Sequence, residues 1–300
     1  MLSKPLAQSI AHHITNTIGQ SFEIRKSQVL HGGDINQAYK IADHDRTYFV
    51  KINQSDRRTM FEAELDGLNQ IANTHTIRVP KPICTGICTG ISTGTAEDYS
   101  YLVLEYLPIV ALTEKTRYEL GIKLAELHLV SGSTAFGLGR ENTIGTTAQP
   151  NPWTANWIEF WRDIRIKHQL NLAIQKGAKF SYANQLLGAI PTILKDHSPK
   201  PSLVHGDLWG GNIGALATGE VVIFDPAVYW GDREVDLAMT ELFGGLGSTF
   251  YRGYESIYPI VPGFAKRKIL YNLYHILNHY NLFGGSYEGQ ADRMMASLLN

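Results

Sequence analysis

The residues with the clearest chemical meaning are Asp207, Asn212 and Asp225. They lie in two stretches, Leu203-Val204-His205-Gly206-Asp207-Leu208-Trp209-Gly210-Gly211-Asn212 and Val221-Val222-Ile223-Phe224-Asp225. Each stretch is an apolar run that ends at a carboxylate. Two strands therefore deliver two acids at their exits, with an amide between them. Phosphoryl transfer from Mg-ATP needs such a set. Asp207 suits the orientation of an attacking hydroxyl and the removal of its proton. Asn212 and Asp225 suit the Mg²⁺ that bridges the phosphates. Taken alone, the pattern is also a hairpin with an Asx turn and two solvated aspartates. The upstream half of the chain supplies the parts that favour the chemical reading.

Those parts begin with Tyr48-Phe49-Val50-Lys51-Ile52, a strand by its alternation. Its period of two puts Phe49 and Lys51 on one face and Tyr48, Val50 and Ile52 on the other. A helix follows, with Phe61, Leu65, Leu68 and Ala72 as its buried stripe. A strand lysine paired with a helix glutamate is a device for holding α- and β-phosphates. Glu64 lies on the stripe side, one turn on from Phe61, and is chosen over Glu62, which is expected in solvent. Gly32 and Gly33 sit between two β-like runs, where backbone N–H groups can approach phosphate oxygens. By itself a Gly pair between strands is also a plain hairpin turn. It is not a Walker A loop, because no Gly-Lys-Ser/Thr follows.

The remaining elements must position this chemistry. Leu6, Ile10, Ile14 and Ile18 predict an amphipathic helix ending near Gly19. Val79 to Ile83 is extended, since each proline biases its predecessor away from helix. The tetrads Ile83-Cys84-Thr85-Gly86, Ile87-Cys88-Thr89-Gly90 and Ile91-Ser92-Thr93-Gly94 are too few for a solenoid. They read as an expanded surface loop or hairpin joining two strands. Cys84 and Cys88 lack Cys-x-x-Cys spacing and a second ligand pair, so they do not read as a metal clip. Tyr101 to Leu107 is an apolar strand broken by Pro108. Tyr118, Ile122, Ala125 and Leu129, with Leu120, Leu124 and Leu127, predict the first helix of a larger second lobe. Trp153, Trp157, Phe160, Trp161 and Ile164 recur at helical spacing and read as core. Phe180 to Leu194 predicts a further helix, and Ile269 to Tyr280 a long C-terminal one stopped by Gly284 and Gly285. The charged run Asp232-Arg233-Glu234-Val235-Asp236 reads either as a solvated helix start or as a buttress. In the buttress reading, Asp236 with Arg233 hydrogen-bonds the loop that carries Asp207.

Composition narrows the setting. With 27 Lys and Arg against 28 Asp and Glu, the net charge is -1. No basic field exists to attract nucleic acid or an anionic membrane. No apolar run approaches the roughly 20 residues of a membrane span. Met1 to Gln20 has polar residues throughout and does not read as a signal peptide. Two cysteines are too few for a disulfide framework, so a reducing, cytoplasmic setting is expected. Oligomeric state leaves no mark on the sequence.

With these pieces placed, the chain resembles the fructosamine (ketosamine) kinase family, within the aminoglycoside and choline kinase superfamily. The spacing from Asp207 to Asn212 equals that in the protein-kinase catalytic loop H-R-D-x-x-x-x-N, with Gly206 where that loop has Arg. Leu208-Trp209 and the block Tyr229-Trp230-Gly231-Asp232-Arg233-Glu234 look specific to ketosamine kinases. The resemblance implies an α+β, two-lobed protein-kinase-like fold, with an antiparallel sheet N-lobe and a mainly helical C-lobe. The nucleotide-binding lobe would span 1–107 with an interlobe hinge at 105–107, and the catalytic and acceptor lobe 108–300. It implies ATP and Mg²⁺, a base role for Asp207, and metal roles for Asn212 and Asp225. Gly32, Gly33, Lys51 and Glu64 would serve the phosphates, and the backbone of Glu105, Tyr106 and Leu107 the adenine edge. Trp209 would line the sugar site, with His205, Arg233 and Asp236 as structural support. The implied reaction phosphorylates a sugar hydroxyl of a ketosamine, small or protein-linked, in repair of glycated amines. Other acceptors of the superfamily (an aminoglycoside, choline or a free sugar) and a non-catalytic ATP-binding pseudokinase are the alternatives. Asp34 stands where some relatives carry Cys, so redox control through a loop thiol is not expected.

Overall fold

The computed structural model describes residues 2–31, 35–89 and 98–300. The calls on Gly32, Gly33 and Asp34, and on the third tetrad of the repeat, lie outside these residues. The N-terminal part is built on a five-stranded antiparallel sheet. Helix α1 (Lys4–Ile18) precedes it and ends at Gly19 in a left-handed conformation. The strands are β1 (Lys26–Leu30), β2 (Gln37–Ala42), β3 (Thr47–Gln54), β4 (Pro82–Cys88) and β5 (Tyr99–Glu105), in the order β1-β2-β3-β5-β4. Helix α2 (Arg58–Asn73) crosses between β3 and β4.

Alternation decides which face each side chain joins. Tyr48, Val50 and Ile52 of β3, with Tyr101 and Val103 of β5, pack against Leu6, Ile10 and Ile14 of α1. Leu102 and Leu104 point the other way and join Phe61, Leu68 and Ile71 of α2. Lys51 shares that second face, where it is 6% exposed.

Of the two readings of the Cys-Thr-Gly repeat, the structure takes the hairpin over the surface loop. The first two tetrads are mostly β4 itself, paired with β5 from Cys84↔Val103 to Cys88↔Tyr99. Cys84 and Cys88, four residues apart on a strand, share one face. Both are buried in the core under α1. The β-branched Ile and Thr of each tetrad suit a pleated surface.

The C-terminal part is mainly helical. Its elements are α3 (Glu114–Leu129), the hairpin β6 (Asn142–Ile144) and β7 (Thr147–Gln149), α4 (Trp157–Glu159), and α5 (Lys167–Gln175), joined to α4 by a π-helical stretch, Phe160–Ile166. Then come α6 (Ala183–Leu194), β8 (Ser202–Val204), β9 (Ile213–Ala215), β10 (Val221–Ile223), β11 (Tyr229–Gly231), α7 (Glu234–Leu242), α8 (Ser248–Glu255), α9 (Phe264–Phe283) and α10 (Tyr287–Leu299). Strand β8 pairs with β11 and β9 with β10, all antiparallel. The core of this part is continuous with the α2 face of the sheet.

Two expected faces are met in part. In α3, Tyr118 and Leu129 are exposed, while Leu120, Gly121, Leu124 and Leu127 are buried. The cause is α8: a Cβ on Gly121 would lie 2.2 Å from Phe250 O, and one on Gly253 would lie 2.1 Å from Tyr118 O. The helices meet backbone to backbone at two glycines, and that contact sets the face. Trp153 lies before α4 and is exposed, whereas Trp157, Phe160 and Trp161 are buried. Among the described residues, no helix is long and apolar enough to cross a membrane.

Candidate active site

Strand β8 ends at Val204, and the residues that follow turn sharply. The N–H groups of His205 and Gly206 both donate to the Asp236 carboxylate, at 2.6 and 2.9 Å. Gly206 has φ +81, and a Cβ there would lie 2.2 Å from Ala227 O. Glycine is required here by both conformation and space. Burial keeps the His205 imidazole neutral by lowering its pKa, against the pull of Asp236. Its Nε2–H donates to Phe224 O at 3.0 Å, and its Nδ1 accepts from the Asp207 N–H at 3.3 Å. The Ala227 N–H returns a bond to His205 O at 2.8 Å. The turn bearing Asp207 and the turn bearing Asp225 are thus stitched together.

Asn212 donates through Nδ2 to Asp207 O at 2.8 Å and to Asp207 Oδ2 at 3.2 Å. Burial, then the nearby charges of Asp225 and Asp236, raise the Asp207 carboxyl to about 7, against the Asn212 bond. A carboxylate tuned toward neutrality suits proton abstraction at neutral pH. His275 Nδ1, from α9, stands 4.0 Å from Asp207 Oδ1 and has no hydrogen-bond partner among the described residues. Burial lowers the His275 pKa to about 3, so it stands neutral beside the carboxylate.

Lys51 donates to Glu64 and to Asp225, at 2.7 Å each. Glu62 instead pairs with Arg58 on the exposed side of α2. Burial opposes the Lys51 charge, but Asp225 and Glu64 outweigh it and hold the ammonium well above its usual range. Burial pushes Glu64 up to about 6, with Lys51 pulling it down and Asp225 adding to the rise. Asp225 itself has φ +58, a left-handed conformation that non-glycine residues seldom adopt.

The donor set fits a hard divalent cation. Asn212 is anchored through its nitrogen, which leaves its amide oxygen for a ligand. Lys51 engages one oxygen of Asp225 and leaves the other. Oxygen donors from a carboxylate and an amide are what Mg²⁺ takes.

Asp236 also accepts from His128 Nε2 at 3.1 Å, and His128 Nδ1 meets Tyr254 OH at 2.8 Å. Burial alone would raise the Asp236 pKa, but His128, His205 and the Gly206 N–H hold it below the usual range. Arg233 departs from the expectation that it bonds the Asp207 loop. It donates to Tyr254 OH at 3.1 Å and to the carbonyls of Tyr258 and Pro259, and its guanidinium lies 3.5 Å from the Tyr258 ring centroid. It reaches Asp236 only through Tyr254 and His128. The ring and carbonyls of the segment after α8 draw it away.

Asp207, Trp209, Asn212, Asp225, Lys51, Glu64 and Glu105 to Leu107 line one cleft of about 930 Å³. That is ample for a nucleotide and an acceptor. At the Glu105 end, the Glu105 side chain pairs with Arg78 at 2.6 Å, and its N–H donates to Lys81 O. At the other end Trp209 meets Phe243 edge to face, and Phe243, His279 and Phe283 continue the wall. The block Tyr229 to Glu234 does not line the cleft. Tyr229 lies under Arg165, while Asp232 takes bonds from His197 and Tyr271, and Glu234 from Arg267. Sequence reasoning passed over His128, His275, Asn142 and Gln149. Single amides and imidazoles carry no periodicity, and their partners lie far along the chain.

Known proteins resemble this chain along nearly its whole length. A family profile described as fructosamine kinase matches residues 6–300. A probable ketoamine kinase of Synechocystis sp. is 50% identical over 97% of this chain and 96% of its own length. A crystal structure assigned as a fructosamine-3-kinase, from Haemophilus somnus 129PT, superposes with a TM-score of 0.88 at 32% identity, covering 97% of each chain. The choline kinase LicA from Streptococcus pneumoniae superposes at 0.64 with 16% identity, over 97% of this chain and 98% of its own. At that identity the likeness is one of fold: two lobes, an antiparallel sheet and a mainly helical body.

Proposed function

The chain belongs to the fructosamine kinase family, and from that premise we propose that it transfers the terminal phosphoryl group of ATP to a sugar hydroxyl of a ketosamine. The acceptor is of fructosamine or ribulosamine type, small or protein-linked, and the role is repair of glycated amines in the cytoplasm. The observation that carries this reading is the meeting of Asp207, Asn212, Asp225 and the Lys51–Glu64 pair in one cleft.

Asp207 takes the proton of the acceptor hydroxyl as its oxygen attacks the γ-phosphorus. The new O–P bond forms as the bond to the β-phosphate oxygen breaks, and ADP leaves. Lys51, fixed by Glu64, holds the α- and β-phosphates. Asn212 and Asp225 would hold Mg²⁺, which supplies charge neutralisation for the phosphate oxygens when bound. The backbone of Tyr106 and Leu107, with the carbonyl of Glu105, serves the adenine edge, in a hinge between lobes of residues 1–107 and 108–300. Trp209 offers a flat apolar face to the sugar skeleton. Gly32 and Gly33 are proposed to cover the phosphates.

The test is mass spectrometry after incubation with Mg-ATP and a panel of fructose- and ribulose-derived ketosamines, ribose, fructose, choline and kanamycin. Phosphorylated ketosamine is expected as the leading product. A free sugar, choline or kanamycin outrunning every ketosamine would replace the acceptor assignment.

A further inference from the structure

Beside the cleft, the β6–β7 hairpin carries a buried network of amides that grips the backbone just after Asp225. Gln149 Nε2 donates to Ala227 O at 3.1 Å and to Asn142 Oδ1 at 2.9 Å. Asn142 Nδ2 donates to Val228 O at 2.8 Å. Asn151 Nδ2 donates to the same Asn142 Oδ1 at 2.8 Å. Tyr274 OH donates to Gln149 Oε1 at 2.6 Å, which fixes which end of the Gln149 amide faces Ala227. Arg165 donates to Asn151 Oδ1 at 2.6 Å, and its guanidinium lies 4.1 Å from the Tyr229 ring centroid. Asn142, Gln149, Asn151 and Arg165 are all buried.

Burying this many polar groups is costly unless each finds a partner. Apolar side chains would pack a short hairpin without that demand. What the network holds is therefore informative: the carbonyls of Ala227 and Val228, two and three residues past Asp225. A left-handed aspartate is strained and persists only where its surroundings over-determine it. Upstream, the frame is the Phe224 N–H to Asn212 O and His205 Nε2 to Phe224 O. Downstream, it is the Ala227 N–H to His205 O. The two amides add the restraints on the carbonyl side. The hairpin tip also meets the N-terminal part, since a Cβ on Gly145 would lie 3.1 Å from Ile35 Cδ1.

We infer that Gln149 and Asn142 are positioning residues for the metal-dependent step: they hold Asp225 in its left-handed conformation, so that its carboxylate is set for the cation. The inference rests on the reading of Asp225 as a metal ligand given above. It assigns the hairpin a part in metal-dependent nucleotide binding, in addition to any part in stability.

The test uses calorimetric binding of a non-hydrolysable ATP analogue to the full chain, with and without Mg²⁺. The proteins are the parent, Gln149→Glu, Asn142→Asp, Tyr274→Phe and the core control Leu186→Ala in α6. The two acidic variants keep shape and acceptor oxygens but put an oxygen where the donor to Ala227 or Val228 stood. They are expected to lose about tenfold or more of the Mg²⁺-dependent gain in affinity, the scale of losing an outer-shell partner of a metal site. Their metal-free affinity should stay near the parent's. Tyr274→Phe, which loses only the hydroxyl that orients Gln149, should lose a smaller part of the gain. Leu186→Ala should lower Tm and keep the gain intact. Kinetically, half-saturating Mg²⁺ should rise in the network variants while KM for the acceptor holds. Lowered Tm with an undiminished Mg²⁺ gain in the acidic variants would overturn the inference. Should neither of them fold, Tyr274→Phe decides by the same criterion. A parent with no Mg²⁺ gain would remove the metal reading of Asp225, and this inference with it. A normal parent with unchanged variants removes the inference alone.

Discussion

Asp207 carries two opposed demands, burial and charge. Its carboxyl is raised from 3.8 to about 7, so the folded protein binds that proton more tightly than the unfolded chain does. Its contribution to stability is therefore full below about pH 4 and declines as pH rises toward 7. Asp207→Asn removes the decline. In thermal scans without Mg²⁺, the variant's Tm should exceed the parent's by a margin that widens from pH 5 to pH 8, with an upper bound of about 4 kcal/mol from ~1.4 kcal/mol per pH unit. Turnover of the same variant should fall about 10²–10⁴-fold with nucleotide affinity kept. A variant that matches the parent in turnover would remove Asp207 as the base. Lys51 shows the opposite balance, one buried cation between two carboxylates. Lys51→Met strands Glu64, which is 11% exposed, and losing one partner of a buried pair costs about 3–5 kcal/mol. Tm should fall, and KM for ATP should rise more than KM for the acceptor. An unchanged KM for ATP would refute the phosphate role. Glu64 was legible because it follows Phe61 by one turn on the buried side of α2. Arg233 was misjudged because dense charge next to Asp236 says nothing of where a long side chain turns. Its choice was made by Tyr258, 25 residues on.

At the scale of elements, local periodicity fixed most of the architecture, and close packing decided the rest. Helix α1, β3, α2 and α9 stand where their apolar spacing placed them. Strand β4 was left open between loop and hairpin, because a Thr-Gly repeat does not declare itself a strand until β5 lies beside it. Its cysteines change the expected cost of substitution. Burial pushes the Cys84 thiol up to about 12, which marks it as an apolar, unreactive core group. The pair Cys84→Ser and Cys88→Ser should then lower stability by about 1–3 kcal/mol, the range for buried hydroxyls without good partners. Activity per folded molecule should be unchanged. Chemical denaturation checks it, and parent-like stability would return both thiols to the surface. The α3–α8 crossing is a second case. Gly253→Ala places a methyl 2.1 Å from Tyr118 O, so the helices must separate. Overpacking of this kind costs about 1–3 kcal/mol, visible as a lower denaturation midpoint. The face of α3 was legible in Leu120, Leu124 and Leu127 but not at Tyr118 and Leu129, because glycines rather than bulky residues set how closely α8 approaches. The β6–β7 hairpin left no mark in the apolar spacing, since three-residue strands carry too little alternation to register.

For the whole molecule, the cores do not divide where the chain does. One core lies between α1 and the sheet. The other runs from the opposite face of the sheet through α2 into the helical body. The cleft sits over this second core, so Lys51 and Glu64 share packing with the elements that carry Asp207 and Asp225. The pieces of the candidate site were legible separately in the sequence. Their convergence was not, because Lys51 and Asp225 are 174 residues apart and no spacing rule spans that distance. The chain's two cysteines both lie in the first core, the one that excludes the active site. They can serve as a clock. A thiol reagent in excess reacts only when α1 lifts from the sheet, so its rate times that opening separately from opening of the cleft. If the two cores open independently, saturating nucleotide leaves labelling as fast as before; if α1 docking and nucleotide binding are linked through the shared sheet, labelling slows as the cleft fills.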